Sequence, residues 1–451
     1  MIFNFQLQRT AAAIAAAVLA FAGCERRATP KEEFLLGVAA PWSAETMAAA
    51  RVAQADTLRG DVAWSGVETS PGKFALSEEM RAVPRKASGE GIAPLGILAY
   101  GNRFHDRGLY PSTPEGRAAY ADFAGFAVGQ LKDAVSLWEV WNEWNLAIGM
   151  PAGTAPGSPE EYVALLRETY ERLKPAFPSK VFLGGSVAGI GRKDDWTRRA
   201  CEAGLLRHLD GFSFHPYVYW MSPERRVPER GLLELVGELE GLLAKYPGGA
   251  AVPLYVTELG WPTHDGTEGV TLDQQAKYLS RAILLLRADP RIRGLWIYTL
   301  RDGDGPFTDR ESHFGLEFAD GSPKPAWFAF RDTAALVRTM QSCRRIEFEG
   351  YEDDLAGVEF VDATGRRSLA IWAIDEGAVL QVDLRLTARP WQSAIRTRIP
   401  GLGAGPRLPI RRDSKDGSRQ LSVTVSDRPQ VLEDVGALQE VEWVDTVRPA
   451  D

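Results

Sequence analysis

The chain has 451 residues, 45% of them hydrophobic and 25% charged, which is enough apolar material to bury a large core without disulfides or a structural metal. That length accommodates two domains. The formal net charge is −8, and no run of Lys and Arg interleaved with aromatics occurs, so nucleic acid is excluded as an expected partner.

The first 24 residues read as a targeting segment. Ala11 to Phe21 is an apolar run of small residues, too short to span a bilayer as a mature helix. It ends in Phe21-Ala22-Gly23-Cys24, which resembles a bacterial lipobox with Phe in place of the usual Leu. Residues 1–24 are therefore expected to be a lipoprotein signal peptide, with Cys24 lipidated and Glu25 following it. The charged, Pro-containing stretch 25–33 reads as a tether. The expected location is the cell envelope. No Asp follows Cys24, which points to the periplasmic face of the outer membrane.

Residues 34–343 alternate short apolar runs with helical patterns. Strands are predicted at Phe34–Ala39, Leu58–Ala63, Ala93–Ala99, Leu137–Trp141, Val181–Ser186, Gly211–Phe214, Pro253–Thr257 and Gly294–Tyr298. They are rich in Val, Ile, Leu and Phe and lack strict alternation, as strands buried on both faces should. Amphipathic segments between them include Glu115–Lys132, Glu160–Lys174, Gly231–Ala244 and Leu272–Arg287. Eight repeats of strand and helix predict an α/β fold, a closed (β/α)8 TIM barrel. Long connections follow the strands, as at Glu143–Ser158 and Leu300–Lys324, and mark the C-terminal face where barrel enzymes place their chemistry. Residues 344–451 change character. Short apolar runs separated by Gly, Asp and Pro turns predict a C-terminal all-β, sandwich-like domain.

Cys201 and Cys343 fall in predicted segments that are not neighbours in a barrel, so both are expected to be free thiols. His105, His264 and His313 are scattered among loops, with no metal-ligand spacing, so no metal site is expected. The 13 Trp are mostly core residues on this reading, with sugar stacking as the sharper alternative.

Chemistry concentrates at two strand ends. Strand four closes in Trp141-Asn142-Glu143, and strand seven in Thr257-Glu258-Leu259-Gly260-Trp261-Pro262. Glycoside hydrolysis needs a proton donor at the leaving oxygen and a second carboxylate at the anomeric carbon. Trp beside a Glu can desolvate it and raise its pKa. Both segments resemble the signatures of clan A retaining glycoside hydrolases. Arg59-Gly60-Asp61-Val62-Ala63-Trp64, Gly211-Phe212-Ser213-Phe214-His215-Pro216-Tyr217 and Trp296-Ile297-Tyr298 resemble further segments of family 39 and its bacterial exopolysaccharide-associated relatives. The resemblance spans roughly Phe34 to Phe330.

It implies Glu143 as acid/base and Glu258 as nucleophile, with carboxyl groups about 5–5.5 Å apart. Asn142 is then expected to bind the sugar 2-hydroxyl, and Tyr217 to donate to Glu258. His215 either binds a sugar hydroxyl or is a satisfied wall histidine. Arg59 pairs either with a site carboxylate or in a structural ion pair. Asn102 and Tyr298 line subsites or simply pack, and Glu139 reads as a buried network partner. The resulting expectation is a monomeric retaining glycoside hydrolase that needs no cofactor, acts on a polysaccharide or oligosaccharide, and is endo-acting on a bacterial exopolysaccharide. Its alternatives are an exo-acting β-xylosidase-like enzyme and a catalytically silent glycan-binding lipoprotein. Retention of both glutamates and Asn142 argues against the last.

Overall fold

The computed structural model describes residues 34–189, 195–386, 394–412, 419–436 and 438–446. The expected signal peptide, Cys24 and the tether lie outside the described residues.

Eight parallel strands close a barrel: β1 (Leu35–Ala39), β2 (Thr57–Ala63), β3 (Ala93–Ala99), β4 (Leu137–Val140), β5 (Val181–Ala188), β6 (Gly211–His215), β7 (Leu254–Leu259) and β8 (Ile292–Ile297). Closure is sequential, and β8 pairs back onto β1 through Leu35–Gly294 to Val38–Ile297. The strand interiors are buried almost throughout, which explains their continuous apolar pattern. A short hairpin, Glu68–Ser70 with Lys73–Phe74, follows β2.

Helices α1 (Ala44–Val52), α2 (Glu78–Gly89), α3 (Pro114–Leu131), α4 (Pro159–Ala176), α5 (Trp196–Glu202), α6 (Leu233–Leu243), α7 (Leu272–Arg287) and α8 (Pro325–Thr339) cover the barrel. Their starts are written locally. Thr113 and Ser158 cap α3 and α4 just before a proline at the first helical position, and Thr271 with Gln274 forms a reciprocal capping box on α7.

The expected all-β tail is also present. Six strands form one sheet in the order Met340–Ile346, Leu355–Asp362, Arg367–Ala373, Gln430–Glu433, Ala394–Ile399 and Gly403–Pro409. Four form another, in the order Arg411–Arg412, Arg419–Ser426, Val379–Leu386 and Leu438–Thr446. Leu369, Ile371, Val382, Leu384, Leu421 and Val423 pack between them. The first tail strand starts at Met340, directly after α8, so Cys343 sits inside the sheet domain and not at the barrel's end.

Helix α7 joins the domains. Residues 275–287 are all buried, because the helix is covered by the barrel on one side and the β domain on the other. Its Lys277 bonds Asp427 at 2.6 Å, and Arg281 pairs with Glu229 and donates to the Ile374 carbonyl at 2.9 Å. Cys201 and Cys343 are free and buried, and burial pushes both thiols up. Among the described residues, no helix is long and apolar enough to cross a membrane.

Trp64, Trp138, Trp141, Trp144, Trp261, Trp296 and Trp372 are fully buried. Trp141 and Trp144 pack edge to face at 5.0 Å, with Tyr110 at 4.2 Å from Trp144. These rings wall the C-terminal end of β4 and exclude water from it. Sugar stacking is not open to them.

Candidate active site

Glu143 and Glu258 meet at the C-terminal mouth of the barrel. Beyond β4 the chain turns sharply, with Trp141 at φ 68° and Glu143 at φ 45°, a left-handed conformation that non-glycine residues adopt only when their surroundings hold it. The holding contact is a hydrogen bond from Glu143 N to the Ser186 carbonyl (2.9 Å). Ser186 is itself presented by a bulge in β5, where the register to β6 shifts between Gly185 and Val187. Glu258 lies within β7, which runs to Leu259, two residues beyond the expected end. Gly260 follows because a Cβ there would sit 2.1 Å from the Tyr298 carbonyl oxygen.

One oxygen of each glutamate and a ring nitrogen of His215 lie within 4.8 Å of one another. That approach is shorter than the roughly 6.5–9.5 Å carboxyl separation needed to seat a water and lies on the side of direct attack, for which about 5–5.5 Å is usual. Three such donors are also close enough to hold a metal ion. However, Glu258 is already neutralised by a guanidinium at 2.6 Å, and His215 already uses both ring nitrogens.

Arg59, buried on β2, organises the floor. Its Nη1 donates to Glu258 Oε1 (2.6 Å), its Nε and Nη2 reach Glu139 Oε2 (2.8 and 2.7 Å), and Nη2 also reaches Asn142 Oδ1 (2.7 Å). Both expectations for Arg59 therefore hold together. Tyr217 donates to Glu258 Oε2 at 2.7 Å, as expected. Burial and the neighbouring glutamates push its hydroxyl well above the ordinary range, so it stays a donor.

The two carboxyls are driven apart. Burial raises Glu143, and its contact with His215 does not offset this. Burial would also raise Glu258, but His215, Arg59 and Tyr217 outweigh it and hold Glu258 below the usual carboxylate range. One carboxyl is shifted toward the protonated form and the other toward the anion, the direction of separation seen in acid–nucleophile pairs.

Other expected residues separate into those at the pair and those away from it. The Asn142 amide nitrogen donates to Tyr100 Oη at 3.2 Å and keeps a second hydrogen free for a ligand. Tyr298 stands edge-on to Tyr217 and Phe314 in an aromatic wall that also includes Tyr219. His215 is fully buried, with Nδ1 2.6 Å from Glu143 Oε1 and Nε2 3.0 Å from Thr257 Oγ1, so it has no nitrogen left for a sugar hydroxyl. Asn102 is not brought to the pair. Its side chain donates to the Glu68 carbonyl (2.9 Å) and accepts from Phe104 N (3.0 Å), pinning the loop after β3. Thr257, Tyr100 and Ser186 went unnoticed in the sequence. Thr257 stood inside the strand-seven motif, but its partners come from distant strands.

A cleft of about 990 Å³ opens between the loops after β7 and β8, lined in part by His264, Asp302, Phe307, His313 and Phe318. Neither glutamate lines it. Lys324 closes one side by bonding Asp302 (2.8 Å) and Thr263 (2.9 Å).

Solved structures share this architecture. A family 39 glycoside hydrolase from Bacteroides cellulosilyticus WH2 superposes with a TM-score of 0.70 at 24% identity, over 89% of this chain and 81% of that one. The likeness is one of fold, a closed eight-stranded barrel followed by a β domain. A family 39 enzyme from Xanthomonas axonopodis pv. citri gives 0.58 at 16% identity, over 91% and 96% of the two chains. A monomeric β-xylosidase from Caulobacter crescentus CB15 gives 0.58 at 16%, over 92% and 98%. No protein-family model and no curated protein matches the sequence.

Proposed function

We propose that the protein is a retaining glycoside hydrolase, with Glu258 as nucleophile and Glu143 as acid/base. The observation that carries this reading is the pair itself: two buried carboxyls with oxygens within 4.8 Å, one raised and one lowered by their surroundings. In the first half-reaction a Glu258 oxygen bonds the anomeric carbon as the glycosidic C–O bond breaks, and the Glu143 proton passes to the leaving oxygen. In the second, Glu143 takes a proton from water, whose oxygen replaces Glu258 at carbon. Arg59 and Tyr217 hold the nucleophile ionised and oriented. The free Asn142 amide hydrogen is placed to meet the sugar 2-hydroxyl.

For substrate we propose a polysaccharide, cleaved internally, with a bacterial exopolysaccharide as the class to test first. The similarity to a β-xylosidase over nearly its whole length supports exo action on a β-xyloside as the second reading. We further propose a monomer exported and anchored through Cys24.

A panel of bacterial exopolysaccharides and nitrophenyl glycosides, with products sized over time, separates the two readings. Internal cleavage yields mixed oligomers early, whereas exo action releases one sugar throughout. Glu258→Ala is expected to abolish turnover on every substrate. Glu143→Ala is expected to spare the first step with a nitrophenolate leaving group, to accumulate glycosyl-enzyme, and to be rescued by azide with net retention. Near-normal activity of Glu258→Ala, or an inverted azide product, would overturn the assignment.

A further inference from the structure

We propose that Thr257 is a positioning residue that sets the tautomer of His215, and thereby keeps a proton at Glu143 when the site is at rest. The inference rests on Glu143 being the acid/base. It follows from counting hydrogens along one buried chain of contacts.

Glu139 Oε2 accepts a hydrogen bond from Arg59 Nε at 2.8 Å and is ion-paired with Nη2 at 2.7 Å. Its other oxygen, Oε1, accepts from the Thr257 hydroxyl at 2.9 Å. A hydroxyl has one hydrogen to give. Having given it to Glu139, Thr257 Oγ1 can meet His215 Nε2 at 3.0 Å only as an acceptor, so Nε2 carries a hydrogen. A neutral imidazole carries one. Nδ1 then presents a lone pair, and it faces Glu143 Oε1 at 2.6 Å. An ionised Glu143 would set lone pair against lone pair across that distance. One proton must therefore lie between them, and with His215 neutral it belongs to Glu143.

The competing carrier of that proton is His215 itself, drawn up by Glu258 and Glu143 against its burial, and the proposal places the proton on Glu143 instead. His215 is fully buried. The titratable and charged groups facing it are Glu143 from the β4 end, Glu258 from β7 (3.7 Å from Nδ1), Arg59 from β2, and Tyr217 from its own segment, whose ring lies 6.4 Å away. Glu258 is occupied by Arg59 and Tyr217, both donors. The chain Arg59–Glu139–Thr257–His215 thus ends at the acid. When Glu143 passes its proton to the leaving oxygen, the Nδ1 lone pair opposes the new carboxylate and favours its return to the protonated form, which is the base step of the second half-reaction.

The test uses the full chain labelled with ¹⁵N-histidine. The chain has five histidines, so side-chain correlation spectra are sparse, and His215 is assigned by the signal missing in His215→Gln. In the wild type, neutral His215 should be protonated at Nε2. Thr257→Val keeps the shape and removes the acceptor, and should shift the proton to Nδ1. It should also lower the titration midpoint of the Glu143–His215 pair by on the order of one pH unit, because Nδ1–H then stabilises the Glu143 anion. Thr257→Ser should restore both. Neutral wild-type His215 protonated at Nδ1, an unchanged tautomer in Thr257→Val, or failure of Thr257→Ser to restore it would each overturn the proposal. If Thr257→Val does not fold, the wild-type tautomer still decides. These spectra need no substrate, so absence of hydrolysis would overturn the hydrolase reading while leaving the tautomer result to stand or fall separately.

Discussion

Replacing Arg59 with Met tests whether the guanidinium is what keeps Glu258 anionic. Arg59 bonds Glu258 at 2.6 Å and Glu139 at 2.7 and 2.8 Å, and all three side chains are at least nine-tenths buried. Met fills much of the same length without charge and leaves two buried carboxyls with no cation. Removing one partner from a buried ion pair costs about 3–5 kcal/mol when the survivor stays charged. The carboxyls can instead take up protons, and a neighbouring arginine ordinarily depresses a carboxyl by about 1–3 pKa units. The sign follows from linkage. Glu258 is lowered in the folded state, so its stabilisation is present above the ordinary carboxylate pKa and is lost as pH falls through the folded value. The wild type should exceed Arg59→Met in thermal stability most at neutral pH, with the gap closing in acid. The acidic limb of kcat/KM, read with a nitrophenyl glycoside that the wild type turns over, should move up by about 1–3 pH units. Glu139→Gln added to Arg59→Met relieves the second orphan carboxyl. It should recover part of the stability without moving the limb back. A folded Arg59→Met enzyme with its acidic limb unchanged would refute the assignment of Arg59, beside His215 and Tyr217, as a cause of the lowered Glu258.

Two further outcomes are expected. Glu143 is raised on folding, so the native state holds a proton that the unfolded chain gives up. Stability is full below the ordinary carboxylate pKa and declines as pH rises through the folded value. Glu143→Gln cannot ionise, so its melting temperature relative to wild type should climb as pH rises above the ordinary carboxylate pKa, and a difference that stays flat from acid to alkaline pH would contradict the raised Glu143. Cys24→Ala should lose incorporation of a palmitate analogue in cells, and equal labelling of that variant would rule out lipid anchoring at Cys24.

Much of this protein was written in short stretches of sequence. Barrel strands buried on both faces must be apolar without alternation, and that requirement shows in eight successive segments whatever their partners. The two glutamates were legible for a related reason. Each sits at the end of its own strand beside Asn or Trp, so Trp141-Asn142-Glu143 and Thr257-Glu258 carry their meaning in consecutive residues. What only closure of the barrel decided is how distant strands share protons and charge. Arg59, Glu139, His215 and Thr257 come from β2, β4, β6 and β7, and no local pattern relates them. His215 read equally well as a sugar ligand until Glu143 and Thr257 were found on its two nitrogens. Asn102 read as a subsite residue until its amide was found pinned to the Glu68 backbone. The opposite displacement of Glu143 and Glu258 belongs to the same class. Both are buried glutamates beside tryptophans in the sequence. They differ because Arg59 and Tyr217 reach one of them and not the other, a matter of a few ångströms that the folded barrel alone sets.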